Sequence, residues 1–299
     1  MSVSGFFFAA FTNILGGSSY IATAYLLQGF SASEAGFWRI LLAAIVCAPL
    51  AFRLRRMPEV ARGDVLRMAA VGFFGYAAPL WIGNLGQSMS SATHAALLIC
   101  IEPVSIMVLS AMFLGEPMTR LKWISAVVGF SGAALIPLQE VSMKSAGPRY
   151  WLGDALLILA AVLWGLYTVV GKPVLKKIDS MTFTAVTTLF ASFPFIIFAM
   201  PAHPVNSFFS APKEAYAGLV YGSIAVTFIG AWAWNQAVKL VPASQFAHFI
   251  FLQPLVGAIY GACFFGERFT TGSALGGVLI LASVFGAIRA GSGGRPRGV

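Results

Sequence analysis

Several kinds of side chain in this 299-residue sequence could do chemistry in an apolar setting. Glu102 precedes Pro103, and Gln253 precedes Pro254. A carboxyl inside an apolar run can accept a proton or anchor a substrate ammonium. It can equally satisfy carbonyls that the proline frees. Gln253 cannot titrate, so the two positions cannot both carry protons. Trp81 with Asn84, and Trp232 with Asn235, are spaced i, i+3. Each pair therefore lies on one helix face. An Asn in lipid needs a partner, which turns that face inward. Such a face can stack and hydrogen-bond a solute, or simply glue helices together. Trp164 and Tyr167 form a third pair of the same spacing. Arg39 is the one basic residue inside an apolar run. It is expected to snorkel or to pair with loop carbonyls or Glu34, with a solute carboxylate as the sharper reading. His94 and His248 read as packing residues before proton relays.

What is absent narrows the chemistry further. There is no Walker loop, so no ATP-driven engine. No His, Cys and carboxylate set has metal spacing, no Ser–His–Asp set is placed for catalysis, and no cofactor is expected. Phosphorylated solutes need clustered Lys or Arg, and the apolar runs offer only Arg39.

These residues must be held by elements that lipid can solvate. Apolar residues make up 59% of the chain and charged residues 10%, against about 25% charged in a soluble domain. The mean hydropathy is +0.84. This excludes a soluble enzyme, a nucleic-acid-binding module and a disordered chain. A β-barrel would give roughly 10-residue alternating segments, whereas these runs are long and unbroken. Cys47, Cys100 and Cys263 sit inside apolar runs and make no disulfide framework. The start, MSVSGFFFAAF, has no basic region and reads as an uncleaved first span.

A span needs about 20 mostly apolar residues. The chain offers ten: 5–27, 33–52, 67–89, 92–114, 120–138, 152–173, 181–200, 214–238, 243–266 and 271–289. Glu102 falls ten residues into the fourth. That is about 15 Å from its end at the helical rise. Pro103 and Pro254 are expected to kink spans four and nine around a central cavity. On the N-terminal side lie 14 basic residues, on the other side 4. Such a bias places both termini in the cytoplasm.

The two halves match at an offset of 151. Trp81 and Asn84 meet Trp232 and Asn235, Ser91-Ala92 meets Pro242-Ala243, Glu102-Pro103 meets Gln253-Pro254, and Gly115-Glu116 meets Gly266-Glu267. Five spans per half is an odd number, so the second half must be inverted. The expected fold is all-α and integral to the membrane: ten transmembrane helices as two inverted five-helix repeats, residues 1–140 and 141–299. Inverted repeats of this kind place a substrate site near the midplane, between the repeats. Ser125, Gly129 and Ala133, with Gly272, Gly276, Ala282 and Gly286, give small-residue stripes for helix packing or a homodimer face.

The order of these features resembles the drug/metabolite transporter superfamily, in its ten-span group of two EamA-type repeats. The resemblance covers the whole chain. It rests on Trp164-Gly165 followed by Lys172, on Phe37-Trp38-Arg39, on the two X-Pro pairs and on the Gly-Glu turns. Gly16-Gly17 stands where the family usually has Trp-Gly. Overall likeness is greatest to bacterial aromatic amino acid exporters. The resemblance implies export of aromatic amino acids through the bacterial inner membrane. The sequence itself reads as a secondary transporter of small neutral or zwitterionic solutes, not an enzyme. Its substrate-binding residues are expected to be Trp81, Asn84, Glu102, Trp164, Tyr167, Trp232, Asn235 and Gln253. The alternatives are an intramembrane lipid-modifying enzyme, which needs clustered nucleophile and base, or a structural subunit without transport.

Overall fold

Lipid offers no partner to a backbone amide, so a chain this apolar must satisfy its peptide groups within each segment. The computed structural model describes residues 3–56, 60–90, 98–136, 148–198, 208–265 and 270–292, and every regular element among them is helical. In chain order these are α1 (Val3–Leu26), α2 (Ala32–Ala51), α3 (Arg62–Ala70), α4 (Ala78–Met89), α5 (Ile101–Leu114), α6 (Arg120–Leu135) and α7 (Pro148–Leu175). There follow α8 (Ser180–Phe198), α9 (Lys213–Val220), α10 (Ala231–Leu240), α11 (Ala243–Phe246), α12 (Leu252–Phe265) and α13 (Thr271–Ser292). Seven stretches among the described residues are long and apolar enough to cross a membrane: Ser33–Leu54, Arg62–Gly83, Arg149–Leu175, Ser180–Ile197, Lys213–Leu240, Ala243–Phe264 and Thr271–Ala290. Helix α5 is apolar but shorter.

The pattern of burial is turned out toward lipid. Met112, Phe113, Ile197, Val278 and Leu281 are exposed, while Asn13, Ser110, Thr184, Ser223 and Asn235 are buried. Polar groups in such a chain must find partners inside the bundle.

Two rods depart from α-geometry at matching places. A π-helical segment, Val71–Ala77, joins α3 to α4, and another, Tyr221–Gly230, joins α9 to α10. The widened turn leaves carbonyls to be satisfied elsewhere, and Thr12 Oγ1 of α1 donates to Gly230 O at 2.8 Å. π-Turns are rare and cluster at functional sites.

The packing pairs mirror one another. Helix α1 lies along α9, α10 and α12, and α7 lies along α4, α5 and the first π-segment. Helix α2 packs on α8, and α6 on α13. Close approach at these crossings needs glycine. A Cβ on Gly17 would lie 2.6 Å from Val256 Cβ of α12, and one on Gly132 would lie 2.6 Å from Gly276 O. The small-residue stripes of α6 and α13 are thus buried against each other within one chain.

Regular α-geometry is interrupted just before each X-Pro pair. A turn at residues 99–100 precedes α5, and a 3-10 segment, Ala247–Phe251, precedes α12. Each interruption includes the residue four before the proline, Ile99 or Ile250, whose carbonyl the proline's missing amide cannot serve.

Candidate functional site

The sequence-selected residues fall into separate groups. Trp164 and Tyr167 project from α7 and meet at 6.2 Å between ring centroids. Tyr76, on the first π-segment, packs edge-on against both, at 5.1 and 5.7 Å. Asn235 of α10 joins this corner. Its Nδ2 donates to Tyr167 Oη and to Thr184 Oγ1, both at 2.9 Å. Trp234 Nε1 donates to Thr168 Oγ1 at 3.1 Å. Tyr76, Tyr167 and Asn235 are buried, and Trp164 is half-buried. The result is an aromatic corner with an amide at its edge, built by α7, α8, α10 and the first π-segment.

A second group forms around α1. Gln253 Nε2 donates to Asn13 Oδ1 at 2.8 Å. Gly16 makes room for that amide, since a Cβ there would sit 3.0 Å from Gln253 Cδ. Trp232 packs edge-on against Phe8 at 5.4 Å. Glu102 stands apart. It is buried in the first turn of α5, and its Oε1 has no hydrogen-bond partner among the described residues. Helix α7 comes within contact of that turn through Gly165, which faces Ser105. Trp81 is 48% exposed on α4. The side chain of Asn84 lies outside the described residues, as do His94 and the Gly266-Glu267 turn.

Arg39 does not snorkel to a loop. Its Nε donates to Thr227 Oγ1, on the second π-segment, at 2.8 Å. Glu34 instead caps α2, accepting the Ser31 amide at 2.8 Å. His248 is buried with its ring nitrogens 3.0 and 3.1 Å from Ser244 O and Lys122 O, a packing arrangement.

Sequence reasoning missed a tie at the end of the bundle where α1 begins, marked by Gly5 against Val241. Gly115 closes α5 in the left-handed region, at φ 64°, as a helix-ending glycine does. This turn aims Glu116 at the start of α11. Glu116 accepts from the amides of Ala243 and Ser244, each at 2.8 Å, and from Ser244 Oγ at 2.6 Å. Lys172 Nζ lies 3.5 Å from the carboxylate and donates to Val241 O at 2.5 Å. Lys122 Nζ donates to Ser244 Oγ at 2.8 Å. Burial alone would push the Glu116 carboxyl up, but the Lys172 ammonium and the donors of Ser244 and Ala243 hold it below its ordinary value. Nearby, Lys177 and Asp64 pair at 2.8 Å. Basic residues counted as loop charge are thus knitting helices together. The signal available was the Gly-Glu turn itself.

A helical bundle turned out toward lipid, with buried polar clusters and π-segments on two long rods, is a multi-pass membrane protein. The chain belongs to the EamA-like transporter family, whose pattern matches residues 3–138 and again 151–289. It is 30% identical over 267 residues to a "Probable terminal-alkyne amino-acid exporter" of Streptantibioticus cattleyicolor, covering 89% of this chain and 87% of that protein. It is 26% identical to an "Uncharacterized transporter" of Archaeoglobus fulgidus, over 92% of this chain and 94% of the relative. A solved crystal structure superposes with a TM-score of 0.80 at 14% identity, covering 96% of this chain and 99% of that one. That likeness carries the fold alone. The protein is a membrane transporter of the EamA type acting on a small molecule.

Proposed function

We propose that the protein is a secondary transporter that exports small neutral or zwitterionic solutes, aromatic amino acids foremost, across the bacterial inner membrane by alternating access. In this reading ten spans form two inverted repeats, residues 1–140 and 141–299, with both termini in the cytoplasm. The observation that carries it is the corner of Tyr76, Trp164 and Tyr167 with Asn235 at its edge. Half-buried Trp164, set edge-on to Tyr76, keeps a face for another ring, while the Asn235 amide holds the Tyr167 phenol in place. Stacking contributes about 0.5–1.5 kcal/mol beyond area burial. Selectivity for aromatic over aliphatic amino acids should then be roughly tenfold per stacking partner. Two further observations support the reading. The helix contacts keep their pattern when the halves are exchanged, and the relative from Streptantibioticus cattleyicolor is named for amino-acid export.

In the same reading, Glu102 is a transport residue. Its oxygen without a partner takes up a proton or the solute's ammonium. The Glu116 tie closes the cytoplasmic end, and opening that end means breaking it. The test is flux of phenylalanine, tryptophan, threonine and alanine into proteoliposomes holding only this protein. Aromatic solutes should move roughly tenfold faster, and absence of flux for all four would sink the proposal. Single cysteines placed near Lys144 and near Arg62 should label from opposite sides of the membrane, and labelling from one side would sink the ten-span topology.

A further inference from the structure

We propose that Arg39 is the carboxylate anchor of the transported solute, an inference resting on the amino-acid reading above. Arg39 is the eighth residue of the twenty in α2. It stands about 10 Å along the helix from its first residue, inside the Ser33–Leu54 stretch that is apolar enough to span lipid. It is half-buried. Among the described residues its one hydrogen bond comes from Nε, to Thr227 Oγ1, and no carboxylate pairs with it. The Nη edge of the guanidinium is left for something else. A charged group at this depth cannot lie against acyl chains and must face water or an anion. A planar fork with one edge pinned and the other open fits a carboxylate through two parallel hydrogen bonds.

The surroundings say what the carboxylate belongs to. Arg39 reaches Thr227 on the second π-segment, and Tyr76, the equivalent residue of the first π-segment, meets Trp164 at 5.1 Å between ring centroids. In this proposal the two serve one solute, Arg39 taking the charged head and the aromatic corner the flat body. Tyr76 and Thr227 are also equivalent positions of the 151-residue repeat, each on its own π-segment. The anchor is thus held at a junction of the two halves, where a change in their relative position alters its reach. A solute with a free carboxylate would be preferred over one whose head carries no negative charge.

The experiment compares proteoliposome uptake of phenylalanine with that of phenylalaninamide, which keeps the ring and the amine but loses the anionic oxygen. The intact protein should favour phenylalanine by about 30-fold, equivalent to about 2 kcal/mol. In Arg39→Gln that ratio should fall to about one, through loss of phenylalanine uptake. Arg39→Lys, which keeps charge but loses the fork, should hold an intermediate ratio, as should Thr227→Val, which frees Nε. These two variants decide the matter if Arg39→Gln does not fold. An unchanged ratio in folded variants overturns the anchor while leaving aromatic transport intact. Absence of phenylalanine uptake by the intact protein removes the amino-acid reading, and the anchor with it.

Discussion

Glu102 and Gln253 occupy the same register in the two halves, yet the structure treats them differently. Gln253 opens α12 and gives its amide to Asn13 of α1. Glu102 opens α5, and the position equivalent to Asn13 is Trp164, 151 residues on. An indole has no acceptor for a carboxylic acid and only one donor. One junction is complete in itself, while the other keeps an oxygen without a partner in a buried place. A repeat can thus keep its geometry while concentrating its chemistry in one copy. In the proposed reading the finished junction serves as a fixed contact, and the unfinished one would take up a proton or a solute ammonium.

That contrast can be broken or sharpened in several ways. The largest effect should come from Glu102→Gln, which gives α5 the head group of α12. Transport should drop by two decades or more, on the order of 3 kcal/mol in transition-state terms, while thermal unfolding in detergent stays close to that of the unaltered protein. Near-normal flux would return Glu102 to a structural role. Gly17→Ala should injure the finished junction by overpacking, since the new Cβ would lie 2.6 Å from Val256 Cβ. The expected cost is about 1–3 kcal/mol of stability, read as a lowered melting temperature, and an unchanged one would show that α1 can shift freely. Trp164→Ala should reduce aromatic amino acid flux roughly tenfold. Threonine flux should fall less, and equal loss for both would make Trp164 a packing residue.

Smaller effects test the same contrast from its quiet side. Asn13→Ala strands the Gln253 amide and should cost only about 0.6–1 kcal/mol, with flux retained. Loss of flux with full stability would move the working site to α1. Acidity separates Glu102 from Glu116. The Glu116 carboxyl is held below its ordinary value, so its tie is complete above about pH 4.3, the ordinary value, and is lost only as pH falls through the lower folded value. Between pH 7 and 5 the flux profiles of the unaltered protein and Glu116→Gln should run parallel. A slope that disappears in Glu116→Gln would assign the pH response to the tie instead of to Glu102.

Much of the scaffold was legible because lipid imposes simple demands. Long apolar runs announced helices, and an offset of 151 found the equivalent positions of two halves. The i, i+3 rule joined Trp164 with Tyr167, which do meet, but it also joined Asn235 with Trp232, which fall into separate groups, and Trp81 faces outward. Gly16-Gly17 invited comparison with Trp164-Gly165 at an offset of 148, which hid Asn13 as the position equivalent to Trp164. Tyr76 and Thr227 share a register but no chemistry, so nothing in the letters joined them. Pro103 and Pro254 marked where regular helix is interrupted, though not the form the interruption takes, a turn at 99–100 and a 3-10 segment at Ala247–Phe251. Glu116 was visible as part of a Gly-Glu turn, but what it grasps depends on loops brought together from distant parts of the chain.

The tie that Glu116 makes has a consequence for how strongly each side of the membrane is felt. A site behind a closed end is available only in the fraction of molecules that have opened it. Apparent affinity from that side is weakened by the same fraction. Each 1.4 kcal/mol by which the tie favours closure is a tenfold weaker apparent affinity for solute arriving through it. One set of contacts therefore presents two dissociation constants, one to each compartment, without any difference in the site itself. A solute that binds open and closed forms equally well cannot shift their balance. Such a solute is carried only as often as the empty protein itself exchanges between the two forms, whereas one that grips the open form better draws the end open.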